Sequence, residues 1–171
     1  MESAFLFSLT SVKRVSEACV ESVKRHVDEK LMTTLQAFVP SCLLPLSETY
    51  DQLLKARCGE SVFRFVLLSQ AALMPLYGAL KMRSEQLKNA FSVCQLALPS
   101  MSAHEAKKRS ADTIFSYKNL AAIEALPAIC AGNGEGVAGV WRLVEATMEV
   151  VEEYIPGKDA ENNYVWTCMQ S

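Results

Sequence analysis

The chain has 171 residues, about one domain's worth. Half are apolar and 21% are charged, which excludes a disordered tail, and 7 glycines with 6 prolines are too few for a fibrous or loop-rich chain. A formal net charge of −2 supplies no broad basic field, so a dedicated nucleic-acid binder is excluded as well.

Strand signals are nearly absent, and apolar residues recur instead at helical spacing. A first helix is predicted from Ser11 to Phe38. Its stripe is Val12, Val15, Cys19, Val23, Val27, Leu31, Leu35 and Phe38, at steps averaging about 3.7 residues. The opposite face is charged and nearly neutral in sum. Pro40 and Pro45 are expected to end it, since proline lacks an N–H and restricts the residue before it. A short helix is expected from Ser47 as N-cap to Gly59, with Leu46, Tyr50, Leu53 and Leu54 on one side.

The segment Glu60 to Leu98 is the most apolar. Between Val62 and Leu80, 14 of 19 residues are large apolar or alanine, with Pro75 and Gly78 expected to kink or split it. A helix apolar all round is central to a core or lies in lipid. A fourth helix should run from Ser100 or Ser102 to Leu126 and carries many alanines, which permit close helix approach. After the break Gly132-Asn133-Gly134-Glu135-Gly136, a last helix is predicted over about Val137 to Tyr154. Its apolar stripe is Val137, Val140, Trp141, Val144, Met148, Val151 and Ile155, which leaves Glu145, Glu149, Glu152 and Glu153 outside. The expected architecture is all-α: about five amphipathic helices in an antiparallel, bundle-like arrangement around a kinked apolar central helix. Residues 1–156 form one domain, and 157–171 form a loosely ordered tail.

Charge is uneven along the chain. Residues 1–58 are neutral in sum, residues 59–131 carry net +3, and residues 132–171 carry net −5. The acidic end marks Glu145, Glu149, Glu152 and Glu153 as a candidate protein-contact face. Lys107-Lys108-Arg109 is the one basic run; it reads as a solvated helix face or as a contact for an anionic surface.

Chemical motifs are few. Gly134-x-Gly136-x-x-Gly139 opens a helix as a dinucleotide fingerprint does, but no parallel-strand context surrounds it, and it reads as a hinge. Two helical turns separate Cys19 from His26, about 10 Å and too far for one metal. His104 beside Glu105 has no identifiable nucleophile. The six cysteines (Cys19, Cys42, Cys58, Cys94, Cys130, Cys168) show no metal spacing. Glu2 stands where a secretory n-region would be basic, so a cytoplasmic, non-secreted chain with reduced cysteines is expected. No cofactor, metal or catalytic group is expected, hence no enzyme.

Helices that stop at an apolar residue followed by proline recur at Val39-Pro40, Leu44-Pro45, Leu98-Pro99, Leu126-Pro127 and Ile155-Pro156. This punctuation resembles the plant rubber-elongation-factor and small-rubber-particle family and, more distantly, the perilipins. Val27-Asp28-Glu29-Lys30 through Phe38-Val39-Pro40 resembles the family's "VD-K" to "VP" segment, and Glu85-Gln86 through Leu96-Ala97-Leu98-Pro99 its "EQ…L…LP" segment. Leu44 to Asp51 is similar to the perilipin "LP…STYD" segment. The six cysteines, the glycine hinge and the acidic last helix depart from both families.

The resemblance implies a non-enzymatic protein that coats lipid particles. Lipid contact would then fall on Val12, Val15, Val23, Val27, Leu31, Leu35 and Phe38, and on Phe63, Phe65, Leu67, Leu68, Leu73, Leu76 and Tyr77. Lys107, Lys108 and Arg109 would meet anionic head groups. The other reading is a helical adaptor or accessory subunit with a protein partner or a second copy at the acidic face.

Overall fold

The structure is a computed structural model that describes residues 10–11, 14, 17–18, 21, 29–106, 108–109, 111–131 and 138–155. Every regular element among them is helical, and none is a strand. Five longer helices carry the fold: α1 (Glu29–Lys55), α2 (Glu60–Ala79), α3 (Arg83–Ala97), α4 (Tyr117–Ala131) and α5 (Ala138–Glu153). Single helical turns at Ala103–Ala106 and Ala111–Ile114 link α3 to α4. Residues 10, 11, 14, 17, 18 and 21 are helical too. The glycine-rich hinge and the tail 157–171 lie outside the described residues.

Helix α2 is the central element, as its composition predicts. It contributes the large core side chains Phe63, Leu67, Leu73, Met74 and Tyr77, all buried. Its neighbours α3 and α4 answer with small ones (Ala90, Ala97, Ala121, Ala122, Ala125), so these helices approach closely around the bulky α2 face. Each fully buried large side chain contributes about 1.5–3 kcal/mol. Helix α4 packs on both α2 and α3, and α5 packs along α3. There the Leu87 Cδ2 methyl lies 3.2 Å from the point a Cβ on Gly139 would occupy.

Expected proline breaks are corrected at four positions: stops at Pro40, Pro45 and Pro127, and a kink or split at Pro75. Helix α1 runs unbroken through Pro40 and Pro45, so Ser47 sits mid-helix and caps nothing. Helix α2 continues through Pro75, and α4 continues through Pro127 to Ala131. Pro45 and Pro127 are exposed, and the carbonyls they strip of a donor belong to the exposed Ser41 and the half-buried Ile123, so the rings do not invade the core and solvent can take up those carbonyls. Pro99 behaves as expected: Leu98 is extended (ψ 136°) and α3 stops at Ala97. The difference lies in tertiary donors. The Asn119 Nδ2 amide donates to the carbonyls of Leu96 (2.9 Å) and Leu98 (2.7 Å), groups that the end of α3 leaves without partners. Likewise Lys118 Nζ donates to the Leu54 and Ala56 carbonyls at the end of α1, and the Tyr117 hydroxyl donates to Cys58 O (2.8 Å). Three consecutive residues that open α4 thus terminate two other helices.

The kink expected within Glu60–Leu98 is a full reversal displaced past Gly78. Lys81 N–H donates to Gly78 O (3.1 Å) and Met82 N–H to Tyr77 O (2.9 Å), the paired bonds of a Schellman turn. The left-handed residue of that turn is Lys81, with φ 59°, where glycine is usual. The Lys81→Gly variant should therefore be more stable by about 1 kcal/mol, read as a higher urea midpoint at unchanged slope. Gly59, expected as a helix stop, instead caps the start of α2.

The expected fourth helix is also divided. Ser102 and Glu105 form a reciprocal capping box: Ser102 N–H donates to Glu105 Oε2 (3.0 Å) and Glu105 N–H to Ser102 Oγ (3.4 Å). A second box, Ser116 with Asn119, opens α4 proper. The last helix lies within one residue of its expected start and end.

Candidate functional site

The outer face of α5 follows from its spacing. Val140, Val144, Thr147 and Val151 recur at steps of three and four and are buried. Their neighbours divide: Leu143, Met148 and Glu152 are half-buried, while Trp141, which the period places in the apolar stripe, faces outward. Trp141 is 55% exposed, and Glu145 and Glu149 follow it at steps of four, so all three share one row. Arg142, Glu145, Glu149 and Glu153 are exposed, while Glu152 is half-buried. Among the described residues no ion pair reaches Glu145, Glu149 or Glu153. The last turn of α5 contains no basic residue, so its acids sit against the negative end of the helix dipole. An exposed indole beside carboxylates that have no ion-pair partner suits a cationic, partly apolar surface.

The residues expected to meet lipid are placed differently. Phe63, Leu67, Leu73, Leu76 and Tyr77 are buried against the other helices. Phe65 is half-buried, and Leu68 is 50% exposed on the outer side of α2. Glu60–Gly78, 19 residues of mean hydropathy 1.2, has the length and composition of a membrane span, but 56% of it is buried within the fold. Leu31, Leu35 and Phe38 belong to α1, with side chains outside the described residues, and Val12, Val15, Val23 and Val27 lie outside them entirely. In the basic run, Lys108 and Arg109 are exposed and Lys107 is outside the described residues.

Comparison with protein-family profiles, curated proteins and solved structures finds no match. The likeness to lipid-particle proteins therefore rests on the sequence motifs alone.

Composition and periodicity did not reveal a polar cluster inside the bundle. Tyr50, Ser69, Gln70, Tyr77, Gln86 and Asn89 are all buried, where α1, α2 and α3 meet. Asn89 Oδ1 accepts from Ser47 Oγ (2.9 Å) and from Gln70 Nε2 (3.1 Å). Gln86 Nε2 donates to the Met74 carbonyl (3.2 Å) and lies 3.0 Å from where a Cβ on Gly78 would stand. Alanine usually gains about 1 kcal/mol over glycine inside a helix. Here Gly78→Ala is expected to lower the thermal midpoint instead, because the methyl displaces the Gln86 amide from its buried bond. The polar spacing at Gln70, Gln86 and Asn89 within otherwise apolar faces was the available sequence signal.

Two further features have little capacity for chemistry. Burial pushes the Cys130 thiol up to about 11, with the Cys94 sulfur adding to the effect. Burial also raises Cys94, so both stay protonated and inert. A groove of about 450 Å³ lies between the end of α3 and the start of α4, lined in part by Leu96, Leu98, Met101, Phe115 and Asn119. The Asn119 amide and carbonyl are already spent on helix ends. No cluster of three or more His, Cys, Asp or Glu suited to a metal occurs among the described residues.

Proposed function

We propose that this protein is a helical adaptor or accessory subunit that docks a basic, partly apolar protein segment on the outer face of α5. One observation carries the reading: a half-exposed tryptophan, Trp141, shares its row with Glu145 and Glu149, carboxylates that nothing in the described fold neutralises. Trp is the residue most enriched among interface hot spots. The carboxylates would steer a cationic partner and fix its register. Binding would need no opening of the core. The test is stoichiometric co-purification from the source cells in a monodisperse complex, compared with the same chain carrying Trp141→Ala or Glu145→Lys with Glu149→Lys. The reading requires the complex to survive without lipid and to disappear in the variants.

A second reading, the coating of a neutral-lipid particle, draws support from the exposed Leu68 beside the half-buried Phe65. Lys108 and Arg109 would add electrostatic attraction to anionic head groups. That reading requires the bundle to open, since most of the α2 apolar residues are engaged in the core. Flotation with lipid droplets separates the two, because the adaptor stays in the soluble fraction.

A further inference from the structure

The polar cluster contains an unfinished hydrogen-bond set. Tyr50 Oη, Gln70 Oε1, Tyr77 Oη and Asn89 Nδ2 are each buried and make no hydrogen bond of good geometry to the protein, the phenols having only loose contacts with Ser47, Ser69 and Asn89. They belong to one contiguous group. Gln70 and Asn89 are bonded to each other. Burial pushes the Tyr77 phenol up, while Ser47 and Asn89 lie near enough to draw it partly back down. Burial raises Tyr50 in the same way; Ser69 pulls against it, and Tyr77 pushes with it. Leaving one such group unsatisfied is costly, and native cores almost never leave several together.

We infer that Tyr50, Gln70, Tyr77 and Asn89 form a binding site for a buried water molecule at the junction of α1, α2 and α3. The chemistry selects the ligand. None of the four groups carries a formal charge, so an ion would be desolvated without compensation. An apolar guest would leave all four groups unpaired. Water is neutral and both donates and accepts. It can accept from Asn89 Nδ2 and one tyrosine hydroxyl while donating to Gln70 Oε1 and the other hydroxyl. Those four bonds saturate the water and give each of the four atoms one partner, within the two to four partners usual for internal waters.

The sign of a hydroxyl deletion tests the site. If a water bridges the phenols, Tyr77→Phe leaves it one partner short, and the unfolding constant should rise about fivefold. If the phenol is merely unpaired, Tyr77→Phe removes a desolvated group and the constant should fall. Tyr50→Phe provides the same reading should Tyr77→Phe fail to fold. A direct arm uses the intact chain: NMR cross-relaxation between water and the side-chain amide protons of Gln70 and Asn89. The expected result is a long-lived water signal at both amides and destabilised hydroxyl deletions. Stabilised deletions, absent cross-relaxation, or native mass spectrometry showing a retained organic molecule would each overturn it.

Discussion

Replacing Asn119 by aspartate is expected to destabilise the protein by about 4 kcal/mol, one of the largest single-residue effects in the fold. The sign runs against local expectation. Position 119 lies in the first turn of α4, where a carboxylate normally stabilises a helix by about 0.3–1 kcal/mol through the dipole. The Asn119 carboxamide oxygen accepts from Ser116 N–H (2.8 Å) and Ser116 Oγ (2.7 Å), bonds that an aspartate could keep. Its amide, however, holds the Leu96 and Leu98 carbonyls, and the residue is only 9% exposed. Aspartate there directs a carboxylate oxygen at two carbonyl oxygens and buries its charge. It loses two hydrogen bonds and adds repulsion. Asn119→Ala, which adds no charge, should cost about 3 kcal/mol. Urea unfolding of the two variants checks both the size and the order. An aspartate variant as stable as wild type would mean that α3 is not terminated by this amide.

The second large effect concerns binding. Trp141→Ala should weaken the proposed partner complex by at least 30-fold, equivalent to about 2 kcal/mol. Glu145→Lys with Glu149→Lys should slow association and remove most of its salt dependence. Neither change touches the buried Val140–Val144–Thr147–Val151 face, so thermal midpoints should stay close to wild type. Reversing the two carboxylates also moves positive charge toward the negative end of the helix dipole, which favours a small rise in stability. Isothermal titration or surface-bound kinetics on the purified complex would measure both effects. Unchanged affinity in both variants would remove α5 as the docking face.

Much of the architecture was legible in the chain itself, because helical periodicity records which face of each segment is buried. The α5 stripe led to bounds within a residue, and the apolar run from Val62 to Leu80 correctly marked the central element. Helix ends were less legible. Proline supplies only half of a stop signal: it disfavours continuation, but the chain stops where something else accepts or donates to the stranded backbone groups. At Pro99 that partner is Asn119, some 20 residues onward, and no local pattern announces it. At Pro45 and Pro127 the rings stand on exposed positions, and the helix continues.

The reversal at Lys81 was hidden for a related reason. A lysine in the left-handed conformation lacks the glycine that would have signalled it. Site residues were legible only where exposure follows from spacing. Trp141 belonged to the apolar stripe by period but sits at its margin, so its exposure depended on how α5 is rotated against α3. The buried polar cluster joins residues from Ser47 to Asn89; polar positions on apolar faces hint at its members, but which of them meet is set by tertiary packing.

The central claim is that the apolar faces of α2, α3 and α4 are spent on one another, leaving function to the surface. Hydrogen exchange read by mass spectrometry, with and without neutral-lipid droplets, tests this most directly. Amides across Phe63–Tyr77 and Ala90–Ala97 should exchange only through global unfolding and be unaffected by droplets. Loss of that protection on adding droplets, with the chain carried into the floating fraction, would contradict it.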